Sequence, residues 1–352
     1  MPGKFLGYPF DEEIFLMNWQ AAVDPVLTAM VDSGAMVEDG VIAGMIANGS
    51  NVYTIPFYDV LSGNDDNYDG DTDITVSSPS GGSQSGVVYG RAHAWKDHDF
   101  IHEFNSGANP TVQIASQVAK YWNKKRQGRL VGIMGGIFSI ADDSTDYWDE
   151  WQLHTLDLTS NSSSVSDDNM VSEATAAEAA QKAVGDNSGI FTMAIMHSKI
   201  ALALAKLQLL QFRKYTDAAG IERTVNIADY NGMTVIVDDG VPVKNSASVS
   251  GGKEYDTYLF GAGALRHATA PVKNPVETDR VSLTDGGYDI LINRLRETIH
   301  PNGFTYTLPF VTGDSGPKVV SPTDSQLAAY ANWSLAGVDP KSIAIARIRS
   351  NG

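Results

Sequence analysis

The sequence predicts an α+β chain built around one long helix and one two-stranded ribbon that is too long for a compact domain. Three observations carry this. Residues 52–58 and 87–95 read as strands parted by a long polar stretch. A helical pattern opens at Asn109-Pro110 and its apolar spacing persists to Phe138. Beyond residue 170, helix-period and strand-period segments alternate. A chain of 352 residues has room for about two domains, or one elaborated one.

In chain order, residues 5–90 hold thirteen Asp or Glu and no Lys or Arg. Within them Asp24-Pro25, then Val26, Leu27, Met30 and Val31, then Gly34, predict a short helix. Asp24 caps it, Pro25 sits first, where no N–H is needed, and Gly34 ends it. The rest of the first fifty residues has apolar spots but no long periodic element, and reads as an arm. Val52 to Tyr58 reads as a strand, moved towards an edge by Pro56, and Val87 to Trp95 as its return. The polar tip between them carries Asp65, Asp66, Asp69, Asp71 and Asp73. Hairpin loops ordinarily run roughly two to five residues, and a lone ribbon is marginal in water. The ribbon is therefore expected to lie on another subunit.

In the long helix Ile114, Val118, Tyr121 and Trp122 keep helical spacing. Lys120, Lys124, Lys125 and Arg126 gather where they complement the helix dipole. Gly128 reads as a kink or an end, after which Leu130, Ile133, Met134, Ile137 and Phe138 continue the pattern. A polar linker spans 159–168 and an alanine-rich helix 170–184. Met193, Met196, Ile200, Leu204, Leu207 and Leu210 predict a second amphipathic helix. Strands follow at 233–237, before the turn Asp238-Asp239-Gly240, and at 255–260. Residues 288–299 and 304–310 flank His300-Pro301-Asn302-Gly303 and read as a hairpin, with Phe304, Tyr306, Leu308 and Phe310 on one face. A helix near 324–332 and a strand near 342–348 close the chain.

Composition narrows the function. Cysteine is absent, which excludes disulfides, thiolate zinc sites, iron–sulfur clusters and a cysteine nucleophile. A net charge of −17 argues against gripping phosphate backbones as the main task. The N-terminus lacks an apolar run before a small-residue cleavage site, so no secretory signal is expected. The stretch 193–212 carries Lys199 and Lys206, and 40–58 is broken by Gly, Asn, Ser and Pro56, so neither reads as a membrane span.

Chemistry-bearing patterns are sparse. Asp97, His98, Asp99, His102 and Glu103 form the densest set of potential metal ligands, and His98 and His102 would share one face of a helix. The preferred reading is a polar hinge at the root of the ribbon, with a metal-dependent hydrolase as a remote alternative. Gly261-Ala262-Gly263-Ala264-Leu265 lacks the third glycine of a dinucleotide loop and reads as a tight strand exit. The acidic tip alternates like a calcium loop, but Val76 stands where the closing Glu belongs. It reads as a solvated loop. Lys120 to Arg129 reads as a solvated helix face rather than a nucleic-acid contact, His197 as a structural histidine, and Met193 with Met196 as core. No catalytic, cofactor-binding or metal-ligating residue is expected.

The order of elements, and several phrases within it, resemble the major capsid proteins of tailed bacteriophages, the Hong Kong ninety-seven-type shell fold. The phrases are Met196-His197-Ser198 opening a helix through Leu207 and Leu210, and Val235-Ile236-Val237-Asp238-Asp239-Gly240. Tyr258-Leu259-Phe260-Gly261-Ala262-Gly263-Ala264 and Ile299-His300-Pro301-Asn302-Gly303-Phe304 add to them. In the tail, Pro322-Thr323-Asp324 through Leu327 and Ala331-Asn332-Trp333 fit as well.

The resemblance implies an N-terminal arm at 1–50 and an extended β-hairpin loop at 51–100. It implies a peripheral domain with a spine helix at 101–158 and 286–311, and an axial α/β domain at 159–285 and 312–352. It implies a self-assembling shell subunit forming pentamers and hexamers around double-stranded DNA in the virion, assembled in the host cytoplasm. Implied partners are a portal, a separate scaffolding protein because no long segment precedes the arm, and a decoration protein; no membrane is involved. Some relatives weld subunits through a Lys on the loop, whereas residues 59–90 here contain no Lys, so non-covalent overlap is expected instead. Gly128, Gly132, Gly135 and Gly136 are candidate hinges between ring sizes. An encapsulin-like compartment is the alternative with the same fold.

Overall fold

The computed structural model describes residues 3–351 apart from 6–7, 22–24, 48, 59–64, 69, 71–72, 74–75, 77–80, 99–110, 141–147, 160–163, 217–221, 247–248, 250–251, 284–286 and 308–320. The chain opens with β1 (Gly3–Phe5), β2 (Tyr8–Phe10), α1 (Glu12–Ala21), α2 (Pro25–Asp32), β3 (Met36–Glu38) and α3 (Gly40–Ala47). Next come β4 (Val52–Tyr58), β5 (Gly81–Val87), β6 (Tyr89–His98) and the long α4 (Thr111–Ile137). The middle holds α5 (Trp148–Gln152), β7 (Thr155–Asp157), α6 (Thr175–Val184), β8 (Phe191–Met196), α7 (Ser198–Lys206), β9 (Gln211–Thr216), β10 (Glu222–Tyr230), β11 (Met233–Val237), β12 (Val243–Asn245) and β13 (Lys253–Gly261). The last part runs β14 (Leu265–Ala270), β15 (Val276–Val281), β16 (Tyr288–Pro301), β17 (Phe304–Tyr306), α8 (Asp324–Leu327), β18 (Trp333–Leu335) and β19 (Ile345–Ser350).

Two mixed sheets carry the molecule. The larger is ordered β7-β19-β13-β8-β11-β10-β9, with β12 on β13. Its β8–β11 and β7–β19 pairs are parallel. On this sheet α6 lays Ala176, Ala179, Ala180 and Ala183, and α7 lays Ile200 and Leu204, against Ala194, Val235 and Leu259. Small alanines let a helix approach a sheet closely. The second sheet is ordered β15-β16-β14-β3, with β6 on the other edge of β16. In the arm, Asp39 fixes both α3 and the sheet edge. Its Oδ1 accepts from the Val41 and Ile42 N–H groups, and its Oδ2 pairs with Arg266 of β14 at 2.9 Å.

Helix α4 joins the two sheets. Ala115, Val118 and Trp122 pack with Phe15 of α1 and with Val276, Leu291 and Leu295 of the second sheet. One end along, Leu130, Ile133, Met134 and Ile137 enter the core that holds Ile195, Tyr258 and Phe260 of the larger sheet and Ile299 of β16. Gly128 does not end it; the helix is continuous over 27 residues. Gly136 is instead a packing position, because a Cβ there would stand 2.9 Å from the Ala328 carbonyl oxygen.

Several sequence expectations are corrected. The apolar spacing from Met193 to Leu210 is not one helix: 191–196 is strand β8, and the helix begins at Ser198 and ends at Lys206. Nearly every residue of β8 is buried, and a continuously apolar run carries no parity to separate strand from helix. The return strand of the ribbon is 81–87, not 87–95, and β6 pairs with β16 over Tyr89–His98. Gly-Gly-Ser-Gln-Ser-Gly has low strand propensity and hides that strand. Phe304–Tyr306 does not fold back on β16; it pairs with β18, since β14 and β6 already occupy the edges of β16. The arm also holds α1 and α3, which short apolar spacing does not announce. The predicted helix at Pro25 is present, with Gly34 at φ 75° beyond its end. Asp24, the start of the long helix at Asn109-Pro110, Leu308 and Phe310 lie outside the described residues.

Candidate assembly elements

The ribbon has a rooted end and a projecting end. Its register sets Tyr53 opposite Gly86 and Phe57 opposite Gly82. A Cβ on Gly86 would fall 2.3 Å from the Tyr53 ring, so glycine is what lets that ring lie across the neighbouring strand. Tyr53 is buried, and its hydroxyl lies 2.9 Å from Thr298 Oγ1, which donates to the Val87 carbonyl at 2.8 Å. Burial raises the Tyr53 pKa, so the hydroxyl stays protonated. Gln84 Nε2 donates to Asn302 Oδ1, and Gln84 Oε1 accepts from the Gly303 N–H, each at 2.8 Å. The root is therefore fixed to its own protomer. Further out Tyr58 is 85% exposed, and Asp65, Asp66, Tyr68 and Asp73 are exposed.

Where β6, β14, β16, α4 and α8 meet, a buried ionic cluster ties the ribbon's neighbour strand to the spine. Inward parity on β16 runs Asp289, Leu291, Asn293, Leu295, Glu297. The Glu297 carboxylate is 2% exposed, yet it accepts from Arg129 Nη1 at 3.0 Å and from Arg126 Nε at 2.9 Å. His267 Nε2 lies 3.8 Å away and the Tyr89 hydroxyl 3.4 Å away. Burial pushes the Glu297 pKa up, but His267, Arg126 and Arg129 outweigh it and hold it at about 2. Arg129 also donates from Nε to Asp324 Oδ1 at 2.8 Å and stacks over the Tyr89 ring at 4.5 Å. Asp324 in turn accepts from Arg91 at 2.6 Å, and Arg91 caps the Pro322 carbonyl. Thr323 and Gln326 form a reciprocal capping box that sets the angle of α8.

The residues singled out in the sequence fall elsewhere. Asp97 and His98 end strand β6, so the helical face expected for His98 and His102 is not formed at His98, while Asp99, His102 and Glu103 lie outside the described residues. Gly261 to Leu265 leads from β13 into β14 through a turn with Gly263 at φ 72°, as a tight strand exit does. Of the acidic tip, Asp69 and Asp71 lie outside the described residues. His197 is structural, but as the cap of α7: its Nδ1 accepts from the Lys199 N–H at 3.0 Å. Met193 and Met196 are buried core residues. The basic run is only partly a solvated face. Lys120, Lys124 and Lys125 are exposed, whereas Arg129 is buried on Glu297. The cluster could have been sought from a charged residue at the inward parity of a strand, Glu297 two places from Leu295. Among the described residues, no group of His, Asp and Glu could hold a metal ion, and no helix is long and apolar enough to cross a membrane.

No protein-family model matches the chain. The major capsid protein of Bacillus phage SPP1 is 31% identical over 325 residues, which cover 92% of this chain and 91% of that one. The chain belongs to the phage major capsid proteins. Solved structures similar to it include the capsid of Ralstonia phage GP4, with a TM-score of 0.49 and 10% identity over 72% of this chain and 80% of that one. The capsid of cyanophage Pam1 gives 0.45 and 10% over 86% of each. An encapsulin complex from Synechococcus elongatus gives 0.42 and 11% over 86% and 82%. This major capsid protein is a structural subunit of a virion shell and works as an oligomer. The Glu297 cluster joins the ribbon's neighbour strand to the spine helix and α8 through Arg129 and Arg91.

Proposed function

We propose that this capsid subunit closes into pentamers and hexamers that build an icosahedral shell around double-stranded DNA in the host cytoplasm. The observation that carries the reading is the ribbon, pinned by Tyr53 and Gln84 to its own body and exposed at Tyr58, Asp65, Asp66, Tyr68 and Asp73. Head-to-tail contacts of this kind close into rings when the rotation between copies is right. The working division is an arm at 1–50, a loop at 51–100, a peripheral part at 101–158 and 286–311, and an axial part at 159–285 and 312–352. Strands β14 and β15 pair with β16 and so draw the peripheral sheet across the boundary at 285. Subunits hold by non-covalent overlap, because residues 59–90 offer no Lys for a weld. A scaffolding protein, a portal and a decoration protein are the protein partners of this reading. The net charge of −17 suits a wall that touches packaged DNA weakly.

Negative-stain electron microscopy of the expressed protein tests it. Shells, tubes or capsomer rings are expected, and native particles should contain DNA. Strictly monomeric protein at high concentration overturns the reading, and particles filled with an enzyme in place of DNA point to a compartment instead.

A further inference from the structure

Helix α4 carries Lys120, Lys124, Lys125, Arg126 and Arg129 and no Asp or Glu, in a chain whose net charge is −17. Folding sorts these cations into two groups. Arg126 and Arg129 turn in to Glu297. Lys120, Lys124 and Lys125 stay exposed, and among the described residues none of the three is in an ion pair. Lys124 and Lys125 flank the line of α4 that runs through Tyr121 and Gly128, and Lys120 lies one turn from Lys124. They border a groove of about 660 Å3 between α4 and α8. The one acid of its lining, Asp324, is held by Arg91 and Arg129. Ion pairs below the groove join three guanidiniums, of Arg91, Arg126 and Arg129, to two carboxylates, of Glu297 and Asp324, so they add one positive charge to the three lysines.

Strand β6 adds a second feature to this face. It places His93 and Trp95 beside Tyr121. The His93 ring stacks on Tyr121 at 5.0 Å, and Trp95 meets both edge-on at 4.7 and 5.6 Å. The Lys125 ammonium stands 5.7 Å over the Tyr121 ring. The rings brace one another and so hold Lys125 at the groove. An exposed set of lysines with no free carboxylate beside it suits a polyanion with charges spaced along a line. Four residues of helix advance about 6 Å, and each strand of a DNA duplex sets a phosphate about every 3.4 Å of axis. The lysines therefore span two or three phosphates. Lysine binds phosphate as a compact point charge, so the contact carries no sequence preference.

We infer that Lys120, Lys124 and Lys125, with the groove beside them, are where the shell wall touches the phosphates of duplex DNA, and hence that this face of α4 lines the lumen. This rests on the shell reading above. Three contacts per subunit make a weak, salt-sensitive hold that lets a packaged duplex slide. The negative charge of the chain as a whole keeps the duplex off the rest of the wall.

Free subunits titrated with a short fluorescent duplex of random sequence, over a series of salt concentrations, test it. One variant carries Lys120→Gln, Lys124→Gln and Lys125→Gln. A control with the same change of charge carries Lys206→Gln, Lys244→Gln and Lys253→Gln, at the end of α7 and on β12 and β13. All six lysines are exposed, and unchanged thermal midpoints and circular dichroism establish that both variants fold. The α4 variant should bind at least about tenfold more weakly than the parent at low salt, and its slope of log affinity on log salt should be shallower by about 3. The control should keep the parent's slope. Equal losses in the two variants overturn the inference, since they report net charge alone. So does a parent with no measurable binding at low salt, and so does parent-like binding by the α4 variant; if that variant also stops assembling, the lysines are a contact between subunits. Capture of external duplex through these lysines by closed empty particles overturns the lumenal placement. Parent protein that binds duplex through them yet forms no particles overturns the shell reading itself, so the two failures are distinguishable.

Discussion

Glu297 shows how one residue can decide the state of several elements. Its carboxylate faces two guanidiniums with almost no solvent, so neither charge can be removed without stranding the other. Glu297→Gln should lower unfolding stability by about 3 to 5 kcal/mol in urea titration, the range for breaking a buried ion pair from one side. Asp324→Asn should cost only about 1 kcal/mol, because Asp324 is half exposed and water can take over part of its role. Equal losses would mean that the cluster is not organised around Glu297. The carboxylate's depressed pKa also fixes a sign. Its stabilisation is present above the usual carboxylate range and disappears as pH falls from there towards about 2.

At the scale of elements, the glycines of α4 divide by environment. Gly135 faces open space, whereas Gly136 lies against the backbone of Ala328. Gly135→Ala should therefore raise stability by up to about 1 kcal/mol through helix propensity. Gly136→Ala should lower it by about 1 to 3 kcal/mol, because α8 must shift to admit a methyl group. Thermal midpoints of the two variants check this; a parallel shift in one direction would mean that the α4–α8 contact is not tight. Gly132 also lies against α8, with a Cβ 3.5 Å from Ala328. The candidate hinge set of the sequence thus includes two positions where a helix is held close. The turn at 300–303 was legible, yet the partner of the strand after it was not. Turn chemistry fixes where a chain reverses, and free edges fix what it pairs with.

For the whole molecule, the two sheets share a core in which His300 sits fully enclosed. Its ring lies between Tyr53 of the ribbon root and Trp333 of β18, with centroids at 6.0 and 6.2 Å. Burial, and then the Arg266 charge, lower its pKa to about 3. A histidine lowered in the folded state contributes fully above its unfolded value, near 6.5, and loses that contribution as pH falls towards about 3. Relative to a His300→Gln variant, the parent should lose about 2 kcal/mol between pH ~6.5 and pH ~5. Denaturant titrations at the two values check it; identical pH slopes would show that His300 is not held neutral.

What the sequence determined by itself is whatever a local window contains. The absence of cations from 5–90, the length of the polar tip, the apolar period of the spine helix and the turn at His300 to Gly303 all belong to neighbouring residues. So do the phrases shared with phage capsid proteins. Tertiary structure alone decided that β8 is a strand, that Gly-rich β5 rather than β6 closes the ribbon, and that Arg129 turns inward to a carboxylate 168 positions away. The physical reason is the same in each case. Strand pairing and the burial of charge are settled by which edges and partners remain after distant segments have packed, and no stretch of chain carries that information alone.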